Sequence, residues 1–321
     1  MDDRRPTSPP SLVVIGNFDG VHRGHAAVLR AASELAQRAR LTPTLLTFDP
    51  HPVEVLRGPE AVTRLTSTPR KVELVERSFP GFRVVVEPFT HELASVAAAD
   101  FARGILAERL AARHVVVGED FCFGRGRSGD VTLLRTLGAG LGFEVHAQAL
   151  VGDATGIWSS SRARQALATG ELAALESILG RPHSVAGRVV EGARRGRTLG
   201  FPTANVADLR EALPPDGVYA CAVDVPDPAG GARAALHRGV ANLGVRPTLG
   251  GGGARVLEVH LIDFSGDLYG RTLRAHLVAR LREERRFDGL PALTAQIARD
   301  TADARAALEH RVPDPDARGW Y

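Results

Sequence analysis

The sequence predicts an α/β doubly wound, parallel-sheet, Rossmann-like domain followed by an antiparallel β-barrel with a C-terminal helix. Three observations predict it. In the first half, short apolar runs alternate with segments of helical periodicity. In the second, β-rich runs follow one another between Gly, Pro and Asp with no helix between them. The last segment, 290–308, returns to helical spacing.

Taken in order, the apolar run Leu12–Ile15 reads as a strand that meets Gly16. Ala26, Val28, Leu29, Ala32 and Leu35 then recur at helical spacing, which makes a strand, tight loop and helix. Thr44–Phe48 and Val84–Val86 read as further strands, Asp100–Leu110 as a helix and Val115–Val117 as a strand. In a doubly wound sheet, ligands gather beyond the carboxyl ends of the strands, so 16–25, 48–52 and 118–129 are expected to converge on one crevice. A helical stretch, Ser160–Leu179, closes this domain, and Gly180, Arg181 and Pro182 mark its end. The barrel strands are expected at 184–190, 217–225, 238–243, 256–262 and 272–281. The closing helix is expected from apolar residues at helical spacing, Leu290, Leu293, Ile297, Ala302 and Ala306. The expected organisation is a flexible tail over 1–11, domains over 12–182 and 183–311, a flexible loop at 250–253 and a tail over 312–321.

Composition excludes several classes. The 321 residues are 44% hydrophobic and 24% charged, ordinary for a globular chain of about two domains. Of 40 basic residues only Lys71 is a lysine, and no GxxxxGK[ST] string occurs, so a Walker-type phosphate loop is excluded. Phosphates must then be held by Arg, His, backbone N–H groups and metal. Cys122 and Cys221 stand far apart without zinc-type spacing, which supports neither a disulfide framework nor a structural metal. The polar N-terminus and the lack of an 18-residue apolar run lead us to expect a soluble, cytoplasmic protein with no membrane partner.

The string Gly16-Asn17-Phe18-Asp19-Gly20-Val21-His22-Arg23-Gly24-His25 places two imidazoles at a strand-to-helix turn. Gly24 lets backbone approach a ligand there, and the helix N-terminus favours anions. Nucleotidyl transfer needs no protein nucleophile, only an in-line attacker and stabilised charge on the α-phosphate and the leaving pyrophosphate. A bare His-x-Gly-His also occurs in solvated loops, but the ten-residue context narrows the reading. That context resembles the adenylyltransferase module of the bacterial bifunctional riboflavin kinase and FAD synthetase family. Three further strings agree in order: 47–52 (TFDPHP), 118–124 (GEDFCFG) and 159–164 (SSSRAR). The resemblance implies an HxGH nucleotidyltransferase fold with His22 and His25 catalytic. It also implies that Gly16, Phe18, Asp19, Gly24, Ser160, Ser161 and Arg162 contact ATP phosphates, and that Phe48, Asp120 and Phe123 lie near the flavin. Ser161 stands where the family usually has Thr, which keeps the hydroxyl, and Ala163 replaces a larger apolar residue. Ser160 and Ser161 also suit a helix cap, a role compatible with phosphate contact. Phe48 and Phe121 otherwise read as core, with Phe123 balanced between core and site.

In the second half, 194–205 (RRGRTLGFPTAN) resembles the riboflavin kinase signature of the same family. The resemblance implies that Thr203 and Asn205 hold the metal and Arg195 the phosphates. Neutral oxygen ligands suit Mg²⁺, which keeps several waters and bridges substrate phosphates. Glu258 sits on a strand whose alternate residues Leu257, Val259 and Leu261 are apolar, and by resemblance it is the base for the acceptor hydroxyl. On pattern alone Glu258 reads as a solvent-facing polar residue, and His260 on the same face as structural. The strings 242–248, 263–270 and 281–287 also agree, and Arg246 is implied at the flavin. Arg stands at 285 and 286 where the family often has Lys, and the two are not equivalent.

The resemblance, over about 12–308, implies a bifunctional enzyme. Its barrel would phosphorylate riboflavin to FMN, and its N-terminal domain would adenylylate FMN to FAD with release of pyrophosphate, both with ATP and Mg²⁺. The expected partners are riboflavin, FMN, FAD and ATP, and the sequence fixes no oligomeric state. One alternative is a chain in which a single module works. Another is a flavin- or nucleotide-binding regulator, which would have no use for a base at Glu258. The Arg194, Arg195 and Arg197 cluster offers a nucleic-acid reading. It lacks a stacking platform or reading helix in a chain with 5% aromatics, so no nucleic acid is expected.

Overall fold

The computed structural model describes residues 9–191, 201–224, 236–245 and 255–311. The chain divides between Ser160 and Ser161 into two compact units.

The first unit runs β1 (Ser11–Ile15), α1 (Arg23–Ala39), β2 (Thr42–Asp49), α2 (Pro52–Arg57), α3 (Thr68–Ser78), β3 (Arg83–Pro88), α4 (His91–Ser95) and α5 (Ala98–Asp100). A π-helical stretch, Phe101–Arg109, continues α5 and ends with Leu110 N–H donating to Ile105 O. It occupies the place of the helix expected over 100–110. Then come β4 (Ala112–Gly118), α6 (Val131–Leu141), β5 (Glu144–Gln148) and the short hairpin β6 (Gly152–Asp153) and β7 (Gly156–Ile157). The five main strands are all parallel in the order β3-β2-β1-β4-β5. Alternation along β1 explains why it is central. Val13 and Ile15 face a core built from Leu46, Val115, Val117, Phe101 and Leu134. Leu12 and Val14 face the other, with Leu29, Ala32, Leu45 and Leu74. A strand apolar on both faces must be covered on both, which sets the three-layer build. Each fully buried Leu or Val contributes about 1.5–3 kcal/mol.

The helical stretch expected over 160–179 is two helices, α7 (Ser160–Thr169) and α8 (Leu172–Leu179). Gly170 adopts φ +76°, which ends α7 in the left-handed region that only glycine enters without strain.

The second unit is a closed barrel of β8 (His183–Val190), β9 (Ala204–Ala207), β10 (Gly217–Asp224), β11 (His237–Val245), β12 (Arg255–Leu261) and β13 (Thr272–Arg282). Its order is β10-β11-β12-β9-β8-β13, antiparallel throughout. Tyr219, Cys221, Ala241, Leu243, Leu257, Val259, Ala275 and Leu277 are all at most 2% exposed and fill the interior. The alternate residues Val218, Ala220, Ala222 and Val240 pack instead with Ala304 and Leu308 of α9 (Leu290–Leu308). Arg282, at the end of β13, clamps α9 by donating from Nε and Nη2 to both oxygens of Asp300 at 2.8–3.1 Å. Gln296 donates to the same carboxylate at 2.6 Å, so this buried acid is fully partnered.

Candidate functional site

The first site lies where the strand order reverses. β2, β1 and β4 are neighbours, so their carboxyl ends bring together the loops after Ile15, Asp49 and Gly118. Gly16 donates to Leu46 O at 3.1 Å as it leaves the sheet. A Cβ there would lie 2.9 Å from the Phe18 ring, so no side chain fits. Phe18 is 3% exposed with φ +50° and stacks on His25 at 4.4 Å.

His22 caps α1. Its Nδ1 accepts from His25 N–H at 3.3 Å, and His25 Nδ1 accepts from His22 N–H at 3.4 Å, a capping box made of two histidines. The rings stack with centroids 3.6 Å apart. Because both Nδ1 atoms accept, the ring proton of each neutral imidazole sits on Nε2. Both Nε2 atoms are thereby left as donors. Gly24 lies tight beneath them: a Cβ would stand 3.0 Å from both the His22 ring and Trp158 O, and these would have to give way to admit it.

The structure shows Asp19 holding the loop's shape. It is 3% exposed, and its carboxylate accepts from Leu65 N–H at 3.0 Å and Thr66 N–H at 3.1 Å. Thr66 Oγ1 in turn accepts from Gly20 N–H at 3.0 Å. Ser160 Oγ donates to Asp19 O at 2.8 Å, which ties the Ser-rich string to the same loop, and Ser161 and Arg162 follow in the first turn of α7. Phe48 is half-buried at the end of β2 and meets Phe89 edge to face at 5.7 Å. Asp120 is exposed beyond β4. Phe123 is 6% exposed, stacked on Phe121 and tilted against Phe101 in the core.

Two charged residues that the motif reading did not place also stand here. Lys71, 4% exposed on α3, donates to Thr47 Oγ1 at 3.2 Å, and Thr47 donates to Asn17 O at 3.0 Å. Burial pushes its ammonium down to about 8, with the Asp19 charge opposing. Arg64 joins Asp49 at 2.6 Å and Glu54, whose carboxyl it holds below the ordinary range, and so fixes the 47–52 string. The lone lysine was visible in the composition, but nothing local tied it to the loop, since the link spans three elements.

The second site is on the barrel. Asn205 of β9 pairs directly with Glu258 of β12, and Glu258 directly with Asn242 of β11, so the three side chains share one face in a single row. Leu257 and Val259 point to the opposite, buried face. Asn205 is 5% exposed and Glu258 half-buried. Asn242 Nδ2 donates to Glu284 at 3.1 Å, which brings a second carboxylate to the row's end. His260 hydrogen-bonds Pro202 O through Nδ1 at 2.9 Å and meets Phe201 edge to face, so it pins the segment carrying Thr203 against β12. Its role is structural, as its position on the strand suggests. The amide oxygen of Asn205 and the carboxylate of Glu258 are both oxygen donors, the type that a hard dication bridging phosphates takes. Arg195 and Arg246 lie outside the described residues, as do the rest of 194–200, the 250–253 loop and the tail over 312–321.

A nucleotide-type crevice in a doubly wound sheet, joined in one chain to a barrel with an amide and carboxylate row, defines a two-module enzyme of phosphate chemistry. The FAD synthetase family profile matches residues 4–162 and the riboflavin kinase profile residues 179–308. The chain is 40% identical to the bifunctional riboflavin kinase/FMN adenylyltransferase of Escherichia coli strain K12, covering 92% of this chain and 91% of that one. It is 41% identical to that of Pseudomonas fluorescens, covering 94% of each. It is also similar to a solved structure from Streptococcus pneumoniae described as a macrolide-efflux protein, with a TM-score of 0.81, 29% identity and coverage of 94% of this chain and 96% of that one. The chain belongs to the bifunctional riboflavin kinase/FMN adenylyltransferase family, whose ATP-dependent chemistry generally needs a divalent metal. Among the described residues, no helix is long and apolar enough to cross a membrane.

Proposed function

We propose that the barrel transfers the ATP γ-phosphate to the riboflavin 5′-hydroxyl, and that the N-terminal unit then transfers AMP to the FMN so made, yielding FAD and pyrophosphate. The observation that carries this is one chain holding both the His22/His25 capping box and the Asn205–Glu258 pair, in a family named for both activities.

In the barrel, Glu258 accepts the proton of the attacking hydroxyl, while Thr203 and Asn205 hold Mg²⁺. When bound there, the ion would supply charge neutralisation for the transferred phosphate, and the two residues would orient it. In the first unit, His22 and His25 donate from Nε2 to the α-phosphate and leaving pyrophosphate, where charge develops. The backbone of Gly16 and Gly24, together with Ser160, Ser161 and Arg162, lines the phosphate path, and Asp19 serves by keeping the loop in shape. Phe48 and Asp120 border the flavin side of the crevice, and Phe123 supports Phe121 from beneath. Arg195 and Arg246 complete the phosphate and flavin contacts of the barrel. We further propose 12–182 and 183–311 as the functional domains and the cytoplasm as the place of action.

The test is to incubate purified protein with riboflavin, ATP and Mg²⁺, to follow riboflavin, FMN and FAD by chromatography, and to repeat with FMN as the starting substrate. FAD from both substrates is expected. FAD from FMN alone would leave the kinase assignment wrong, and FMN as the final product would leave the adenylyltransferase assignment wrong.

A further inference from the structure

Away from both sites, β4 and β5 bring together three ligating side chains that neither activity uses. His114 Nδ1 and His146 Nε2 stand 2.9 Å apart, and the Glu144 carboxylate lies 3.7 Å from each. Strand register explains the cluster. His114 pairs directly with Glu144, and His146 is two residues along β5, so all three project from one face. β5 is the edge strand of the sheet, Glu144 is 67% exposed and the imidazoles are 21% and 24% exposed, so the cluster is open to solvent.

The geometry points to a binding site here for one borderline transition-metal dication of the Zn²⁺, Co²⁺ or Ni²⁺ type, held by His114, His146 and Glu144 with water completing the shell. Ligands at about 2.0–2.1 Å around a tetrahedral ion lie roughly 3.3 Å from one another. Here the two ring nitrogens are 2.9 Å apart, each has one Glu144 oxygen at 3.7 Å (Oε2 for His114, Oε1 for His146), and one ligand atom from each residue lies within 4.8 Å of the other two, so a modest turn of the exposed Glu144 side chain would close the set around an ion. Two imidazoles and one carboxylate select such an ion over Mg²⁺, whose ligands are oxygens. Among the described residues, neither histidine's remaining ring nitrogen is hydrogen-bonded to a carbonyl or carboxylate. Lack of such support typically costs 10–100-fold in affinity, which makes this an exchangeable site of micromolar order.

Its place separates it from catalysis. His114 and Glu144 stand at the amino-terminal ends of parallel strands, whereas the phosphate and flavin loops leave from the carboxyl ends. Four residues from His114 to Gly118 make roughly 13 Å. A bound ion would act as a clamp joining an edge strand to its neighbour, in addition to the ladder and the packing of Val145 and Ala147 on the core.

The test uses untagged, chelator-stripped full chain titrated with Co²⁺ and read by visible absorption, with Mg²⁺ present in millimolar excess. We expect one equivalent bound with the intense bands of a four-coordinate ion, and slowed amide exchange in β5. Binding should weaken at least tenfold in His146→Gln and measurably in Glu144→Gln, an exposed position at which the fold is not at stake. It should persist in a His22→Gln/His25→Gln double variant, and both flavin activities should be intact in Glu144→Gln. No binding at millimolar Co²⁺, undiminished binding in His146→Gln, or loss of binding in the His22/His25 variant would each overturn the site and leave the 2.9 Å contact as an ordinary hydrogen bond between imidazoles.

Discussion

Asn205 and Glu258 sit directly opposite each other on the antiparallel β9–β12 ladder, so an amide and a carboxylate separated by 53 positions of sequence share one spot on the barrel face. Opposed residues have Cβ atoms about 4.5–5.5 Å apart. A ligand oxygen and a base within that spacing can serve one transferred phosphate from two sides.

If Glu258 is the base, Glu258→Gln keeps the shape of the row and removes the proton acceptor. FMN formation from riboflavin should fall by about 10²–10⁴-fold. FMN-to-FAD conversion by the same sample should be unchanged. Both rates come from the chromatographic assay, and parallel loss of the two would refute the assignment of separate sites.

Asn205→Ala removes an oxygen from a residue only 5% exposed. The Mg²⁺ concentration for half-maximal kinase activity should rise severalfold while that of the adenylyl transfer stays fixed. Asn205→Asp should restore metal response partly, because it returns an oxygen donor. A shift in kcat with no change in Mg²⁺ dependence would remove Asn205 from the metal.

His22 has two jobs that substitution can separate. As N-cap it accepts from His25 N–H, and as a ring it donates from Nε2. His22→Asn retains a good cap, so stability should stay within a few tenths of a kcal/mol, whereas His22→Ala should cost about 1 kcal/mol. Both variants should lose FAD formation by similar factors and keep the kinase. If His22→Asn were fully active, the imidazole would have no part in the chemistry.

Periodicity made much of this legible in the sequence. β1, α1, β2, β4 and five of the six barrel strands are legible because each has an apolar face that repeats. The closing helix appears over Leu290–Leu308, as its spacing predicts. What stayed hidden has physical causes. β9 is only four residues long and was read as part of the 194–205 string. The break at Gly170 lies inside a continuous apolar pattern, which only the backbone dihedral exposes. The site fared similarly. His22, His25, Asn205 and Glu258 stood out by residue type and context, but the partners that hold them did not. Asp19 was expected at a phosphate because it sits in the motif. In the structure its carboxylate accepts from the N–H groups of residues 65 and 66, a link across the chain that no local pattern encodes.

Lys71 offers the sharpest pH test. Its ammonium is buried and pushed from 10.5 to about 8, chiefly by desolvation. Below about pH 8 the folded chain therefore carries the cost of a charged group held away from water. Between about pH 8 and 10.5 the unfolded chain still binds a proton that the folded chain has released, so this residue makes stability rise with pH across that window. Lys71→Met preserves the length of the side chain and removes the charge. Near pH 7 the variant should be more stable than the parent by on the order of 2–3 kcal/mol, a difference that shrinks as pH climbs and vanishes above about 10.5. Urea midpoints of the two proteins across that range measure it. A buried cation retained at such a cost beneath the 16–25 loop implies use, since residues that trade stability for function cluster at active sites. FAD formation by Lys71→Met should fall even as its midpoint rises, and the kinase should not change. A variant more stable and fully active in both steps would show that the lysine's charge does nothing for the triphosphate, and a pH-independent midpoint difference would show that its ammonium is not desolvated at all.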